Sequence, residues 1–274
     1  MSLLRRSWIL ILTSAFVVSG LSVVGVPLGG SSVAAAAVPV SPEIEAAEQR
    51  VIELINERRS GKGLRALRLD PRVAKVARAR SQDMIDRHYF SHVDPDGLSA
   101  RQHLVRAHIK FSRVSEIIAW NQGSDLEASA AKVVQVWMSD AIHRHEVMST
   151  THNYLGAGVA TDGHTITWTV ISITGRDRTD PTARIRSVVL AGDQATVRWT
   201  GHDPWLVVGT AGLRDYDLAR RHPGGVWQTV RDNTTRVNTT TGAQEGTEFR
   251  VRARDKAGNT GPWSAIVTAS SGTS

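Results

Sequence analysis

From Ser41 onward, apolar residues recur at helical spacing: Ile44, Ala47, Val51, Leu54 and Ile55 follow Ser41-Pro42 on one face. A serine oxygen accepts one of the free N–H groups at a helix start, and proline fits the first helical position, so the pair predicts a helix beginning here. That run closes at Arg58-Arg59-Ser60-Gly61-Lys62-Gly63. Asp70-Pro71 repeats the signal, and Val73, Val76, Ala77, Met84 and Ile85 predict a second helix. A third, short helix is expected from Ser99. Ser124-Asp125-Leu126-Glu127 has capping-box spacing, and Leu126, Ala130, Val133, Val134 and Trp137 form the buried stripe of a fourth. Ser115 to Trp120, Leu155 to Thr161 and Thr165 to Ile173 read as strands, the last two joined by Asp162-Gly163 as a tight hairpin. Helices and strands that do not strictly alternate predict an α+β layered domain over residues 42–175.

The pattern changes beyond that point. Residues 176–183 are charged and turn-prone, and read as a linker. Short alternating runs follow around Ala195 to Trp199, Leu213 to Arg220, Val226 to Val230, Phe249 to Ala253 and Trp263 to Thr268, which predict an all-β sandwich over residues 184–270. Asn233-Thr234-Thr235 and Asn238-Thr239-Thr240 match glycosylation acceptors and are read as turn residues of that sandwich.

Ahead of the first helix, Arg5 and Arg6 precede an apolar run from Trp8 to Val26, with Ala34 to Ala37 after it. This is the basic, apolar and small-residue order of a signal peptide, residues 1–37, which implies a secreted or wall-associated product with no stable membrane span after cleavage; the other reading of the run is an uncleaved membrane anchor. The chain has no cysteine, so its domains are held by their cores alone. The formal net charge is +7, and Arg5 and Arg6 carry two of these charges. No basic block with interleaved aromatics appears, so nucleic acid is not an expected partner. A mild cationic excess favours anionic wall polymers or lipid head groups, and that attraction is screened by salt.

Three polar residues stand out against this background. His92 follows the second helix in the loop Ser91-His92-Val93-Asp94-Pro95-Asp96-Gly97, Glu116 interrupts the apolar strand Ile117-Ile118-Ala119-Trp120, and His143 lies in Trp137-Met138-Ser139-Asp140-Ala141-Ile142-His143-Arg144. Two imidazoles and a carboxylate suffice to hold a divalent metal or to move a proton. His145 competes with His143, because two positions apart on a helix they face opposite ways. His145-Glu146 does not open a zinc-protease H-E-x-x-H motif, since Ser149 stands at its last position. His88 and His92 form a local i, i+4 pair only if helix continues through Tyr89-Phe90-Ser91. There is no G-x-S-x-G elbow, Walker loop, dinucleotide fingerprint or cysteine nucleophile.

The order and context of these residues resemble the bacterial, SCP-like extracellular branch of the CAP superfamily, the cysteine-rich secretory, antigen 5 and pathogenesis-related proteins. Its members carry patterns close to F-S-H-x-x-P-D-G, G-E-N-I-A and W-x-x-S-P-x-H-R, and the resemblance covers about residues 46–175. It implies an α-β-α sandwich with His92, Glu116 and His143 lining one cavity, and it selects His143 over His145, which is expected to face solvent. It also implies that His92 and His143 are metal ligands when a divalent ion such as zinc is bound, without pointing to one reaction. Ser115, Ile117, Asp140-Ala141 and Glu146 depart from the family patterns. The second domain is similar to fibronectin type III modules through Val197-Arg198-Trp199, Tyr216, Phe249 to Asp255, Ala257-Gly258-Asn259 and Trp263-Ser264. Together these readings predict an exported bacterial CAP-domain protein whose cavity binds a wall polymer, a lipid, a small extracellular ligand or a metal. The alternatives are a metal-assisted extracellular hydrolase and a structural or adhesive surface protein.

Overall fold

A computed structural model describes residues 40–270, so the expected signal segment 1–37 lies outside the described residues. The chain divides into two compact units between Thr174 and Gly175. Among the described residues no helix is long and apolar enough to cross a membrane.

The first unit runs α1 (Pro42–Ser60), β1 (Arg68–Leu69), α2 (Pro71–Asp86), α3 (Ala100–Arg106), β2 (Phe111–Gln122), α4 (Leu126–Ser139), α5 (Ala141–Val147), β3 (Tyr154–Thr161) and β4 (Thr165–Gly175). The predicted caps form: Ser41 Oγ accepts from the Ile44 N–H, and an Asp70 oxygen accepts from the Arg72 N–H. At α4 the cap is not Ser124, as the capping-box spacing indicated, but the next residue, Asp125, whose side chain takes the Ala128 N–H. The sheet has the order β1-β3-β4-β2, with β1 parallel to β3 and β3 antiparallel to β4.

Helices cover both faces of this sheet. Gly158 pairs with Thr169 and Val159 with Trp168, so Thr169 and Trp168 point to opposite sides. Ser81 Oγ of α2 donates to the Gly158 carbonyl at 3.0 Å, which leaves it to accept from the Thr169 hydroxyl, 2.9 Å away. On the other side, the Trp168 indole donates to Ser129 Oγ of α4 at 2.8 Å. The α2 face needs glycine in the strand: a Cβ on Gly156 would lie 2.1 Å from the Ala74 nitrogen, and one on Gly158 2.0 Å from the Arg78 nitrogen. Helix backbone thus rests directly on strand backbone, which only residues without a side chain permit.

The second unit is all-β: β5 (Thr182–Ala191), β6 (Gln194–His202), β7 (Leu213–Arg221), β8 (Gln228–Thr234), β9 (Asn238–Gly242), β10 (Glu248–Asp255) and β11 (Val267–Thr268). They form sheets of order β5-β6-β9 and β11-β10-β7-β8. Val197, Trp199, Tyr216, Leu218, Phe249 and Val251 fill the space between them, with Trp199 edge-on to Tyr216 at 6.3 Å between ring centroids. At one side of this unit Trp227 and Trp263 alternate with guanidinium groups, Arg250 lying 4.0 Å from one ring centroid and 4.4 Å from the other.

Within residues 176–183, read as a linker, Asp177, Thr179 and Pro181 are buried and Thr182 already opens β5. A further local expectation is corrected. Asn238-Thr239-Thr240 is not a turn but the first part of β9, paired with β6 through Thr239 opposite Val197. Threonine suits a half-buried pleated strand, and its polarity alone misled the reading.

Candidate functional site

The site starts from a buried arginine. Arg80 on α2 is 1% exposed, and its guanidinium donates to three acceptors: Glu116 Oε1 at 3.3 Å, the Tyr89 hydroxyl at 2.7 Å and the Ser91 carbonyl at 2.9 Å. A planar fork of donors serves such a divergent set, which a single ammonium would not. Tyr89 donates in turn to Asp83 at 2.6 Å. Burial pushes the Tyr89 hydroxyl pKa well above its ordinary value, and this bond adds to the effect. Arg80 thereby fixes both the strand carboxylate and the loop that leaves α2.

His92 sits in that loop, with Nδ1 2.8 Å from Glu116 Oε2. An ionised carboxylate only accepts, so Nδ1 carries the proton of this bond and Nε2 is the basic nitrogen of the neutral ring. Glu116 therefore has one oxygen on Arg80 and the other on His92, and acts as the orienter of an imidazole rather than as an open ligand. The loop is held further by Asp94, whose Oδ1 accepts the Asp96 and Leu98 N–H groups and whose Oδ2 lies 2.8 Å from His103 Nε2. Burial opposes ionisation of Asp94, but the Leu98 N–H and His103 outweigh it and hold the carboxyl below its usual range. The local pair of His88 and His92 does not form on one helix, because α2 ends at Asp86 and His88 turns the chain with φ 53°.

His143 lies on α5, a helix that the sequence reading did not separate from α4. Asp140 begins it, accepting the Ile142 and His143 N–H groups at 3.0 Å each. The same Oδ1 lies 2.7 Å from His143 Nδ1. The His143 backbone bond, with its imidazole, keeps the Asp140 carboxyl below its usual range. His143 thus pairs with Asp140 rather than with Glu116, and it too presents Nε2 as its basic nitrogen. At the far end of α5, Arg59 Nη1 donates to the Val147 and Ser149 carbonyls at 2.7 and 2.8 Å and anchors the helix to α1.

The residues lining a pocket of about 550 Å³ include Arg101, Arg113, Ser115, His145, Glu146 and His152. His145 is exposed as expected, yet it faces this pocket rather than open surface. His152 is 4% exposed, its Nε2 is 3.2 Å from Ser115 Oγ, and burial lowers its pKa. Arg80, Asp140 and His152 are the residues that sequence reasoning missed. Asp140 was detectable, since it stands three positions before His143 in the role of an N-cap. Arg80 carried no local signal beyond being an arginine on the apolar face of α2.

Residues 52–172 match the model of the CAP, cysteine-rich secretory protein, family. The chain is 33% identical over 120 residues to the uncharacterized protein YkwD of Bacillus subtilis, covering 44% of this chain and 45% of that protein. It is 33% identical over 112 residues to the uncharacterized membrane protein YlbC of the same organism, covering 41% and 31%. The matches thus span less than half the length of these relatives. Among solved structures, an extracellular protein containing a SCP domain from Bacillus anthracis aligns at 28% identity and TM-score 0.42, covering 50% of this chain and 45% of that one. A cysteine-rich secretory protein from Staphylococcus aureus aligns at 20% identity and TM-score 0.39, covering 49% and 40%. The family match contains His92, Glu116, Asp140 and His143, so both carboxylate–histidine pairs lie in the part of the chain that is similar to CAP domains and to these bacterial relatives.

Proposed function

We propose that this protein is exported and binds an extracellular ligand or a divalent metal through His92 and His143. The observation that carries the reading is the paired geometry: His92 Nδ1 on Glu116 and His143 Nδ1 on Asp140 leave the same nitrogen of each ring as the basic one. A carboxylate behind the distal nitrogen is the usual support of a metal-binding or proton-accepting imidazole, because it fixes the tautomer and raises basicity. The donor set fits zinc with two nitrogen ligands, Glu116 and Asp140 acting from behind them. Bound there, zinc would act as a Lewis acid or lower the pKa of a bound water. Without it, the same nitrogens accept hydrogen bonds from a hydroxyl-rich or ammonium-bearing ligand of wall-polymer, lipid or small-molecule type.

Export is supported by the Arg5-Arg6 and apolar order of the N-terminal sequence. A fibronectin type III-like role for the second unit, as spacer or docking element, is supported by its three-strand and four-strand sheets and the Trp199–Tyr216 core pair. Calorimetric titration of the chain with zinc tests the site. His92→Ala and His143→Ala should each weaken binding at least tenfold, and affinity should fall on acidification as protons compete with the metal for the ring nitrogens. His145→Ala should leave it unchanged. Equal losses at His143 and His145 would assign the ligand role to the wrong helix face, and no binding in any form would remove the metal reading.

A further inference from the structure

Three buried carboxylates converge at one end of the second unit. Asp177 lies ahead of β5, Asp203 follows β6 directly and Asp255 ends β10. They are 3%, 6% and 0% exposed, and one oxygen of each lies within 4.8 Å of the others.

Their hydrogen bonds come from neutral donors. Asp177 Oδ1 accepts from the Thr179 N–H at 2.9 Å and its hydroxyl at 2.5 Å, and Oδ2 accepts from the Ala211 N–H at 2.8 Å. Asn259 donates its N–H and side-chain amide to the two oxygens of Asp255 at 2.8 and 2.7 Å, and the amide also reaches the Asp177 carbonyl at 3.1 Å. Asp203 Oδ2 accepts from the Gly212 N–H at 2.6 Å. Asp203 Oδ1 is buried and accepts nothing.

A buried carboxylate oxygen without a donor is costly, and three carboxylates this close repel one another. The arrangement is stable when a cation or shared protons supply the missing positive charge. A cluster of carboxylate oxygens, with no sulfur or imidazole in the set, suits a hard cation. Calcium–oxygen bonds of about 2.3–2.6 Å place oxygens on opposite sides of one ion about 4.6–5.2 Å apart, which is the scale of this cluster.

We propose that Asp177, Asp203 and Asp255 bind a divalent cation of the calcium class, with Asp203 Oδ1 as the ligand that has no other partner. The ion joins the segment entering the sandwich, the β6–β7 connection and the turn after β10. The site is separate from His92 and His143 and stands or falls without them.

The experiment uses the full chain, freed of metal with a chelator and then desalted. Calcium chloride is titrated to about 5 mM, above the affinity range of weak extracellular calcium modules. Calorimetry should show one ion per chain, and thermal unfolding should show a calcium-dependent rise that the chelator reverses. Asp203→Asn should weaken binding at least tenfold while its metal-free form folds, because the substitution removes a repelling charge. Asp255→Asn is the second variant. A His92→Ala/His143→Ala double variant should bind calcium as the parent does. No calcium-dependent shift in the parent, or an undiminished shift in both aspartate variants, overturns the proposal; in the first case protons hold the cluster. Magnesium binding with no calcium binding would overturn the choice of ion.

Discussion

At the scale of single residues, Arg80 decides how Glu116 and His92 are held. Its guanidinium neutralises Glu116, whose side chain is 6% exposed, and holds the Ser91 carbonyl beside His92. Arg80→Met would leave that carboxylate buried with only an imidazole for company, and removing one partner of a buried pair costs about 3–5 kcal/mol. Urea denaturation should register this loss, and Arg80→Met/Glu116→Leu should recover part of it. A double variant no better than the single one would show that the two residues are not coupled. His92, Glu116 and His143 were legible in the sequence because each interrupts a pattern: a loop histidine after a helix, a carboxylate in an apolar strand, a histidine beyond a tryptophan stripe. Their partners were not, since Arg80 and Asp140 read as ordinary members of helices and only distances show what they serve.

At the scale of elements, the capped and periodic segments were legible, because caps and hydrophobic spacing act within a few residues. Ser41-Pro42 and Asp70-Pro71 begin α1 and α2 where they should. The elements that escaped depend on partners distant in the chain. β1 is two residues long and exists through its parallel pairing with β3, and β9 is polar and exists through β6. Helix α5 escaped because Asp140 was read as a departure from a motif instead of as a start signal. Asp140 performs two tasks at once, capping the helix and backing His143. Asp140→Ala should lower stability by about 1 kcal/mol through the lost cap, whereas Asp140→Asn should keep it, since asparagine caps equally well. Equilibrium denaturation of the two variants separates these cases, and equal stabilities would mean that the cap contributes nothing.

At the scale of the whole molecule, each unit closes its own core: Trp137 and Trp168 are buried in the first, and Trp199, Phe249 and Val251 in the second. A chain ending at Thr174 should therefore keep a single cooperative unfolding transition by circular dichroism. A fragment that unfolds without cooperativity would show that the first unit borrows stability from the second. The seat of α2 on Gly156 and Gly158 has a further consequence for the first unit. Main chain against main chain sets a datum that does not depend on which side chains the rest of the sequence supplies. Arg80 is measured from that datum, and His92 from Arg80. The exposed positions Val93 and Pro95 are thus open to redesign for a different ligand while Asp94 holds the loop and the imidazole keeps its address, whereas any side chain introduced at either glycine would displace the reference from which the whole site is laid out.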